Sequence, residues 1–278
     1  MTSPAALLAG AAGTLGSTAE ARTLLAHAAG VEPSALAILA DVPDDVVAAF
    51  DVLVGRRANG EPVQYLTGRA WFRTVSVAVG PGVFIPRPET EVMTGWAIER
   101  LSGLDSPLVV ELCAGSGAIS AAIAAELPGC RQYAVELSAD ACRAARANLA
   151  GTGVTLVEGD MADAFRDLDG TVDLVIANPP YIPLEAWEYV AADVREHEPD
   201  LALFSGADGL DALRVVARVA SRLLRPGGLV CAEHAEVQSE AVVDLFVGTG
   251  AFASVADRRD LNDRPRFVTA TRAGKLAG

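Results

Sequence analysis

Short hydrophobic runs recur along the chain from residue 107 onward, and segments with helical spacing separate them. Five of these runs are predicted to form strands, at 108–112, 132–136, 154–158, 172–177 and 229–233. Strands that alternate with helices usually lie parallel in one sheet, because each connecting helix returns the chain to the same end of the sheet. The pattern therefore predicts an α/β domain with a mostly parallel sheet.

A helix is predicted between the last two of these strands. Its apolar face would hold Leu210, Leu213, Ala217, Ala220 and Leu224. The sequence Arg225-Pro226-Gly227-Gly228 comes next, and its proline and glycines are expected to end the helix after Leu224.

The first 58 residues show a different pattern, that of short amphipathic helices. Leu24, Leu25 and Ala28 recur at helical spacing, and Asp41-Val42-Pro43-Asp44 is typical of a break between two helices. Asn59-Gly60-Glu61-Pro62 marks a boundary, after which valines at 75, 77 and 79 predict a hairpin. We expect a helical domain at 1–58, a hairpin linker at 59–84 and a larger domain at 85–278.

Composition narrows the class of protein. The chain has 278 residues, 51% of them hydrophobic, and a formal net charge of −14, which disfavours non-specific binding to nucleic acid. Its four cysteines lack Cys-x-x-Cys spacing and its three histidines are scattered, so we expect no metal site, no disulfide framework and a reducing, cytoplasmic compartment. No apolar stretch reaches the roughly 18 residues that span a bilayer, so a soluble protein without a targeting segment is expected.

Asn178-Pro179-Pro180-Tyr181 directly follows the apolar run 172–177, at the end of a strand where open α/β sheets bind ligands. The two prolines hold the backbone nearly rigid, so the carbonyl oxygens of Asn178 and Pro179 are expected to converge. Two acceptors suit an –NH2 group, which has two hydrogens to donate. These residue types also form ordinary turns. The position of the motif, and a glycine-rich turn after another strand, favour a site that binds an amino or amide nitrogen.

The glycine-rich turn is Glu111-Leu112-Cys113-Ala114-Gly115-Ser116-Gly117, where the glycines permit close approach of a ligand to the backbone. Ser120 occupies the third glycine position of a dinucleotide fingerprint, which weakens that interpretation, and the turn could be only a tight connection. Glu136 ends the next strand, where it could accept hydrogen bonds from a ribose diol. It could instead be a charge at the start of a helix capped by Ser138.

Two residues after the third predicted strand are candidates for binding an adenine. Asp160 could accept a hydrogen bond from the amino group of the base, and Met161 could contact its ring. The alternative is another turn at a strand end. Neither residue decides between these interpretations by itself.

These motifs resemble those of S-adenosylmethionine-dependent methyltransferases, and more narrowly the glutamine N5-methyltransferases that modify bacterial peptide chain release factors. The resemblance runs from end to end of the chain. Besides Asn178–Tyr181, it rests on the segments 61–68 (Glu-Pro-Val-Gln-Tyr-Leu-Thr-Gly), 84–91 (Phe-Ile-Pro-Arg-Pro-Glu-Thr-Glu), 198–203, 208–211 and 233–238, and on Asp260, Arg264 and Arg266. It departs at the cofactor loop, where the family usually has Asp-Leu-Gly-Thr-Gly-Ser-Gly and this chain has Glu111, Cys113 and Ala114.

The resemblance implies a seven-stranded, mostly parallel Rossmann-like methyltransferase sheet beside the small helical domain. It implies that S-adenosyl-L-methionine is bound by Cys113, Ala114, Gly115, Ser116, Gly117, Glu136, Asp160, Met161, Asn178, Phe84 and Thr90. Asn178, Pro179, Pro180 and Tyr181 would act in catalysis.

The implied substrate is the glutamine of the Gly-Gly-Gln loop of a release factor, which the N-terminal helices would also contact. We expect a monomer that binds neither membrane nor nucleic acid. Two rivals are an adenine- or cytosine-amino methyltransferase, against which the charge of −14 argues, and a binding module without turnover, which the intact Asn178–Tyr181 motif disfavours.

Overall fold

A computed structural model describes residues 2–274. Contacts between residues divide the chain into two units. The first contains the residues up to Arg69 together with Ala191–His197, and the second contains Ala70–Val190 together with the residues from Glu198 onward.

The helices in chain order are α1 (Pro4–Leu15), α2 (Thr18–Ala29), α3 (Asp44–Ala58), α4 (Val63–Thr67), α5 (Pro88–Leu101), α6 (Ala118–Glu126), α7 (Ala139–Asn148), α8 (Ala192–His197), α9 (Asp200–Leu203), α10 (Asp211–Leu223) and α11 (Ser239–Gly248). The strands are β1 (Arg69–Phe72), β2 (Val75–Ala78), β3 (Leu108–Leu112), β4 (Arg131–Glu136), β5 (Thr155–Glu158), β6 (Val172–Ala177), β7 (Leu224–Glu233), β8 (Phe252–Arg259) and β9 (Pro265–Arg272).

The first unit is helical, as its sequence pattern predicts. Serine side chains cap two of its helices: the Ser3 hydroxyl accepts from the Ala6 N–H and the Ser17 hydroxyl from the Glu20 N–H, so each satisfies a backbone donor that the first helical turn leaves free. Leu24 and Leu25 are fully buried in its apolar core, which confirms the face predicted for this helix. The helix α3 begins at Asp44, where the sequence predicts a restart.

The second unit is built on a seven-stranded sheet in the order β5-β4-β3-β6-β7-β9-β8. The strands β3 to β7 pair in parallel, whereas β9 runs antiparallel to both β7 and β8. This confirms the mostly parallel sheet. All five residues of β3 are buried, because helices cover both faces of such a sheet.

The order of the strands determines where a ligand can bind. The chain passes from β3 outward through β4 to β5, and then returns to place β6 on the other side of β3. The loops after β3 and β6 therefore leave the sheet in opposite directions, and the crevice between them is the usual ligand site of an open α/β sheet. Both candidate motifs, the glycine-rich turn and Asn178–Tyr181, lie at this point.

The end of α10 corrects the sequence interpretation. The helix ends at Leu223, and Leu224 is the first residue of β7, where its backbone is extended and pairs with Val172. The strand therefore begins five residues before the predicted run at 229, with a register shift between Val172 and Leu174. A Cβ on Gly228 would lie 2.8 Å from the carbonyl oxygen of Val172, so this glycine permits close contact between strands rather than ending a helix.

The strands β1 and β2 form a two-stranded sheet in the segment where the valines at 75, 77 and 79 predict a hairpin. No helix within residues 2–274 has both the length and the apolar character needed to cross a bilayer.

Candidate active site

A cavity of about 360 Å³ lies within the second unit, at the carboxyl ends of β3, β4 and β6. All of the site residues predicted from the sequence line it except Pro179 and Gly117, which are both buried. Residues from the helices that follow, including Leu201, Leu203, Ala212 and Val215, add an apolar wall. The structure thus brings together residues that lie up to about 130 positions apart in the sequence.

The turn between β3 and α6 has three residues in the left-handed backbone region: Cys113 with φ 60°, Gly115 with φ 55° and Gly117 with φ 77°. A Cβ on Gly115 would meet no atom within 4 Å, whereas a Cβ on Gly117 would lie 3.1 Å from the side chain of Leu149. The absence of a side chain at Gly115 therefore leaves open space at the cavity. The absence of a side chain at Gly117 allows Leu149 to pack closely against the turn. Cys113 adopts a conformation that costs a non-glycine residue about 1 kcal/mol.

Glu111 lies in β3, two residues before Cys113, and is 1% exposed. Its Oε2 accepts hydrogen bonds from the backbone N–H and the hydroxyl of Ser120, the residue in place of the third glycine of a dinucleotide fingerprint. Its Oε1 has no hydrogen-bond partner within residues 2–274. Burial outweighs the two hydrogen bonds and raises the pKa of Glu111 to about 8, so this carboxyl group is mostly protonated at neutral pH.

Glu136, at the end of β4, binds the glycine-rich turn. Its Oε2 accepts a hydrogen bond from the Gly115 N–H and its Oε1 accepts one from the Ser138 N–H, each at 2.8 Å. The Ser138 hydroxyl in turn accepts from the Ala141 N–H and caps α7. Glu136 therefore lies both at the cavity and at the start of a helix, and the two interpretations of this residue do not exclude each other.

Asp160 and Met161 lie on the cavity wall after β5. The carboxylate of Asp160 accepts a hydrogen bond from the Ala162 N–H at 2.8 Å. The sulfur of Met161 lies 3.6 Å from the Cys113 sulfur, and burial raises the pKa of the Cys113 thiol well above its usual range. The thiol is therefore uncharged and contributes a small apolar surface.

The side chain of Asn178 is held by a relay of buried side chains. Its Nδ2 donates to the Thr90 hydroxyl at 3.0 Å, and this hydroxyl donates to Glu233 Oε2 at 2.7 Å. The Tyr181 hydroxyl donates to the other oxygen, Glu233 Oε1, at 3.1 Å. Glu233 therefore binds both ends of the Asn178–Tyr181 motif. Thr90 is among the predicted site residues and Glu233 is not. Two signals mark Glu233 in the sequence: it ends the predicted strand 229–233, and it begins the segment 233–238 that shares in the family resemblance.

Phe84 reaches the cavity from the segment before α5. The guanidinium of Arg87 stacks over its ring, 4.7 Å from the centroid, and also binds the buried carboxylate of Glu198. The second oxygen of Glu198 accepts from the Ile85 N–H at 3.2 Å. These contacts join the segment 84–87 to Glu198 at the cavity wall.

Sequence comparison identifies two family models in the chain. The model described as the PrmC N-terminal domain matches residues 5–68, and the methyltransferase small domain matches residues 75–194. The two matches cover the helical unit and the first half of the sheet.

Two relatives are named release factor glutamine methyltransferase. One, from Streptomyces coelicolor, is 51% identical over 91% of this chain and 90% of its own length. Another, from Mycolicibacterium smegmatis, is 43% identical over 95% of this chain and 94% of its own length. A third relative, from Streptomyces pristinaespiralis, is 44% identical over 88% of this chain and 85% of its own length, and is named 4-amino-L-phenylalanine/4-methylamino-L-phenylalanine methyltransferase.

A solved structure supports the fold. The catalytic domain of hMettl16 aligns with 81% of this chain and 83% of its own, at 15% identity and a TM-score of 0.56. At this identity the likeness concerns the fold alone, a methyltransferase sheet flanked by helices. Family membership rests on the sequence relatives instead: the 51% identity to the Streptomyces coelicolor protein over 91% of this chain shows that this chain belongs to the family of release factor glutamine methyltransferases.

Proposed function

We propose that this protein transfers a methyl group from S-adenosyl-L-methionine to the side-chain amide N5 of the glutamine in the Gly-Gly-Gln loop of bacterial class 1 peptide chain release factors. Family membership supports the reaction class. The observation that carries the proposal for this chain is the amide of Asn178, which Thr90 and Glu233 hold in the lining of the same cavity that the glycine-rich turn lines.

The residues around the glycine-rich turn fit the cofactor. The open space at Gly115 admits a ligand against the backbone, and Glu136 offers carboxylate oxygens that can also accept from a ribose diol. Met161 and Asp160 supply an apolar surface and an acceptor on the adjoining wall, as an adenine requires. S-adenosyl-L-methionine, when bound, supplies a methyl group on a positively charged sulfur.

The other end of the cavity would hold the acceptor. An amide nitrogen is a weak nucleophile, because its lone pair is delocalised into the carbonyl group. Asn178 would accept a hydrogen bond from this nitrogen and hold it in line with the methyl group, so that alignment is the main contribution to the rate. Tyr181 would pack beside the glutamine side chain. No base is needed before the transfer, since the nitrogen becomes strongly acidic only when it is alkylated.

A second acceptor class is an aromatic amine, because the Streptomyces pristinaespiralis relative is as similar to this chain as the Mycolicibacterium smegmatis protein. Both acceptors present an –NH2 group, so the Asn178–Tyr181 motif by itself does not separate them. The two acceptors differ in size, because a release factor loop is part of a folded protein, whereas 4-amino-L-phenylalanine is a free amino acid.

Transfer of tritium from labelled S-adenosyl-L-methionine tests the proposal. Purified release factor, 4-amino-L-phenylalanine and single-stranded DNA would be offered separately to the full-length protein. We expect label on release factor with a kcat/KM at least about a hundredfold above that for the other two. Label on 4-amino-L-phenylalanine alone would replace the proposed substrate with an aromatic amine, and label on DNA would support a nucleic-acid methyltransferase.

We also propose that residues 1–58 form a substrate-recognition domain, with 59–84 as a linker and 85–278 as the catalytic domain. Removing residues 1–58, which end with α3, would then lower kcat/KM for the whole release factor by about tenfold or more, while a short Gly-Gly-Gln peptide would be methylated at an unchanged rate. The peptide is the internal control for an intact catalytic domain. An equal loss on both substrates would reject the recognition role.

A further inference from the structure

Glu233 joins two side chains of the proposed acceptor site through one buried carboxylate. It is the last residue of β7 and is 1% exposed. Its Oε2 accepts from the Thr90 hydroxyl at 2.7 Å and its Oε1 accepts from the Tyr181 hydroxyl at 3.1 Å. Neither family membership nor the proposed reaction assigns a role to this carboxylate.

The ionisation of Glu233 determines the direction of the hydrogen bonds that reach Asn178. An ionised carboxylate only accepts, so the single hydroxyl proton of Thr90 must be donated to Glu233. The Thr90 oxygen can then only accept, and Asn178 satisfies it with Nδ2 at 3.0 Å. The other atom of this amide, the carbonyl oxygen Oδ1, is therefore the one that Asn178 keeps for a ligand in the cavity that it lines.

We propose that Glu233 is a positioning residue for the methyl transfer, which acts through Thr90 to keep the side-chain carbonyl of Asn178, and not its NH2 group, facing the acceptor nitrogen. An acceptor –NH2 group needs a hydrogen-bond acceptor from the protein and would be repelled by a second –NH2 group. The inference rests on the proposed function only in that the acceptor carries an –NH2 group, which holds for glutamine and for an aromatic amine alike.

Protonation of Glu233 should reverse this arrangement. Burial raises the pKa of Glu233 to about 6, while the hydroxyls of Thr90 and Tyr181 and the guanidinium of Arg266 on β9 lower it and Glu89 on α5 raises it. A protonated carboxyl group can donate to Thr90, which frees the Thr90 proton to turn toward Asn178. The amide of Asn178 would then rotate and present its NH2 group to the acceptor.

The first test compares the wild-type protein with Glu233→Gln, in which a neutral amide replaces the carboxylate at nearly the same volume. The acceptor is whichever –NH2 substrate the wild-type protein methylates. We expect kcat to fall about tenfold or more, while the Kd for S-adenosyl-L-methionine changes less than about threefold. We also expect the wild-type kcat to decline below a pH of about 6, and this acid limb to be absent in Glu233→Gln.

The second test asks whether Glu233 acts through Thr90. Thr90→Val removes the linking hydroxyl at constant shape, and Thr90→Ser retains it. Thr94→Val is a matched control, because Thr94 is a fully buried threonine one turn later on α5 whose hydroxyl donates to the Thr90 carbonyl and not to Glu233. We expect Thr90→Val to lose about as much kcat as Glu233→Gln, and the double variant to lose little more. Thr90→Ser should recover most of the kcat that Thr90→Val loses, and Thr94→Val should retain most of the activity.

Several results would overturn the inference. A wild-type kcat and acid limb in Glu233→Gln would show that the carboxylate does not position Asn178. Losses that multiply in the double variant would show that it does not act through Thr90. If Glu233→Gln fails to fold, the pH profile of Thr90→Val decides: disappearance of the acid limb supports the inference, and its persistence rejects it. A protein that methylates no release factor but another amine would contradict the proposed function and leave these comparisons intact.

Discussion

The Oε2 atom of Glu136 accepts a hydrogen bond from the backbone N–H of Gly115 at 2.8 Å. This contact ties the end of β4 to the turn after β3, and the other carboxylate oxygen binds the Ser138 N–H at the start of α7. One carboxylate thus fixes the turn and the adjoining helix before any ligand arrives. A turn that is already ordered loses less conformational entropy when a ligand binds. Because its backbone is fixed, one added methyl group in the turn should have a measurable effect.

Alanine at the two glycines of the turn should have different effects. In Gly115→Ala the new methyl meets no protein atom within 4 Å, and since Gly115 lines the cavity, we expect the methyl to occupy ligand space. Affinity for S-adenosyl-L-methionine should fall about tenfold or more, with a stability loss of about 1 kcal/mol from the left-handed backbone.

In Gly117→Ala the new methyl crowds the side chains of Leu149 and Ala145, so stability should fall by about 2 kcal/mol or more. Calorimetric titration and urea unfolding of both variants measure the two quantities. Equal losses of affinity and stability in the two variants would contradict the assigned positions of the glycines.

At position 113, we expect glycine to preserve the stability of the protein and a β-branched residue to lower it. The φ of 60° at Cys113 is the conformation that glycine adopts without strain. Cys113→Gly gains about 1 kcal/mol of relief from strain and loses the contact of the thiol with Met161, so the free energy of unfolding should change by less than about 1 kcal/mol.

Cys113→Val, with a β-branched side chain in the same conformation, should lower stability by about 2 kcal/mol or more. Urea unfolding of both variants measures this difference. A strong destabilisation by glycine would mean that the thiol, and not the backbone, determines the fit at this position.

Glu111 should make the protein less stable as the pH rises, which is opposite to the effect of a carboxyl group whose pKa is lowered by folding. Its pKa in the folded protein is about 8, above the ordinary value of 4.5, so the folded state keeps a proton that the unfolded state loses. Stability from this group is therefore fully present below pH 4.5 and is lost as the pH rises to about 8, at about 1.4 kcal/mol per pH unit.

Glu111→Gln cannot ionise and should remove this slope, which raises the free energy of unfolding at pH 7 by roughly 3 kcal/mol. Urea unfolding at several pH values between 5 and 8 gives the slope for both proteins. Parallel pH profiles for the two would show that Glu111 ionises normally.

Asn178→Ala should separate catalysis from cofactor binding. The variant removes the side chain that Thr90 and Glu233 hold in place, and with it the proposed acceptor for the target nitrogen. Turnover should fall by about a hundredfold or more, while the Kd for S-adenosyl-L-methionine should rise less than about fivefold. A parallel loss of both would assign Asn178 chiefly to the cofactor.

The sequence predicts the sheet well where its strands are buried on both faces. The runs 108–112 and 172–177 are uniformly apolar apart from Glu111 and Asp173, and they match β3 and β6. The prediction that Leu224 belongs to the helix is wrong, because an apolar residue suits a helix face and a buried strand equally well. Only its pairing with Val172 places it in the strand. The strands β8 and β9 have no separate prediction; β9 pairs antiparallel with β7, and β8 pairs antiparallel with β9 at the edge of the sheet.

The site is predictable as far as strand ends and turns determine it. Asn178, Gly115 and Glu136 each follow or end a strand, so the topology of an open sheet brings them together. The relay from Asn178 through Thr90 to Glu233 is not predictable in this way, because its bonds join residues 88 and 143 positions apart. Donor and acceptor roles that span such distances become visible only when the side chains are placed in three dimensions.

Mass spectrometry of release factor after incubation with this protein and S-adenosyl-L-methionine reports directly on the proposed reaction. We expect one added methyl group on the glutamine of the Gly-Gly-Gln loop, formed at least about a hundredfold more slowly when Asn178→Ala replaces the wild-type protein. An unmodified glutamine, or a methyl group on another residue, would contradict it.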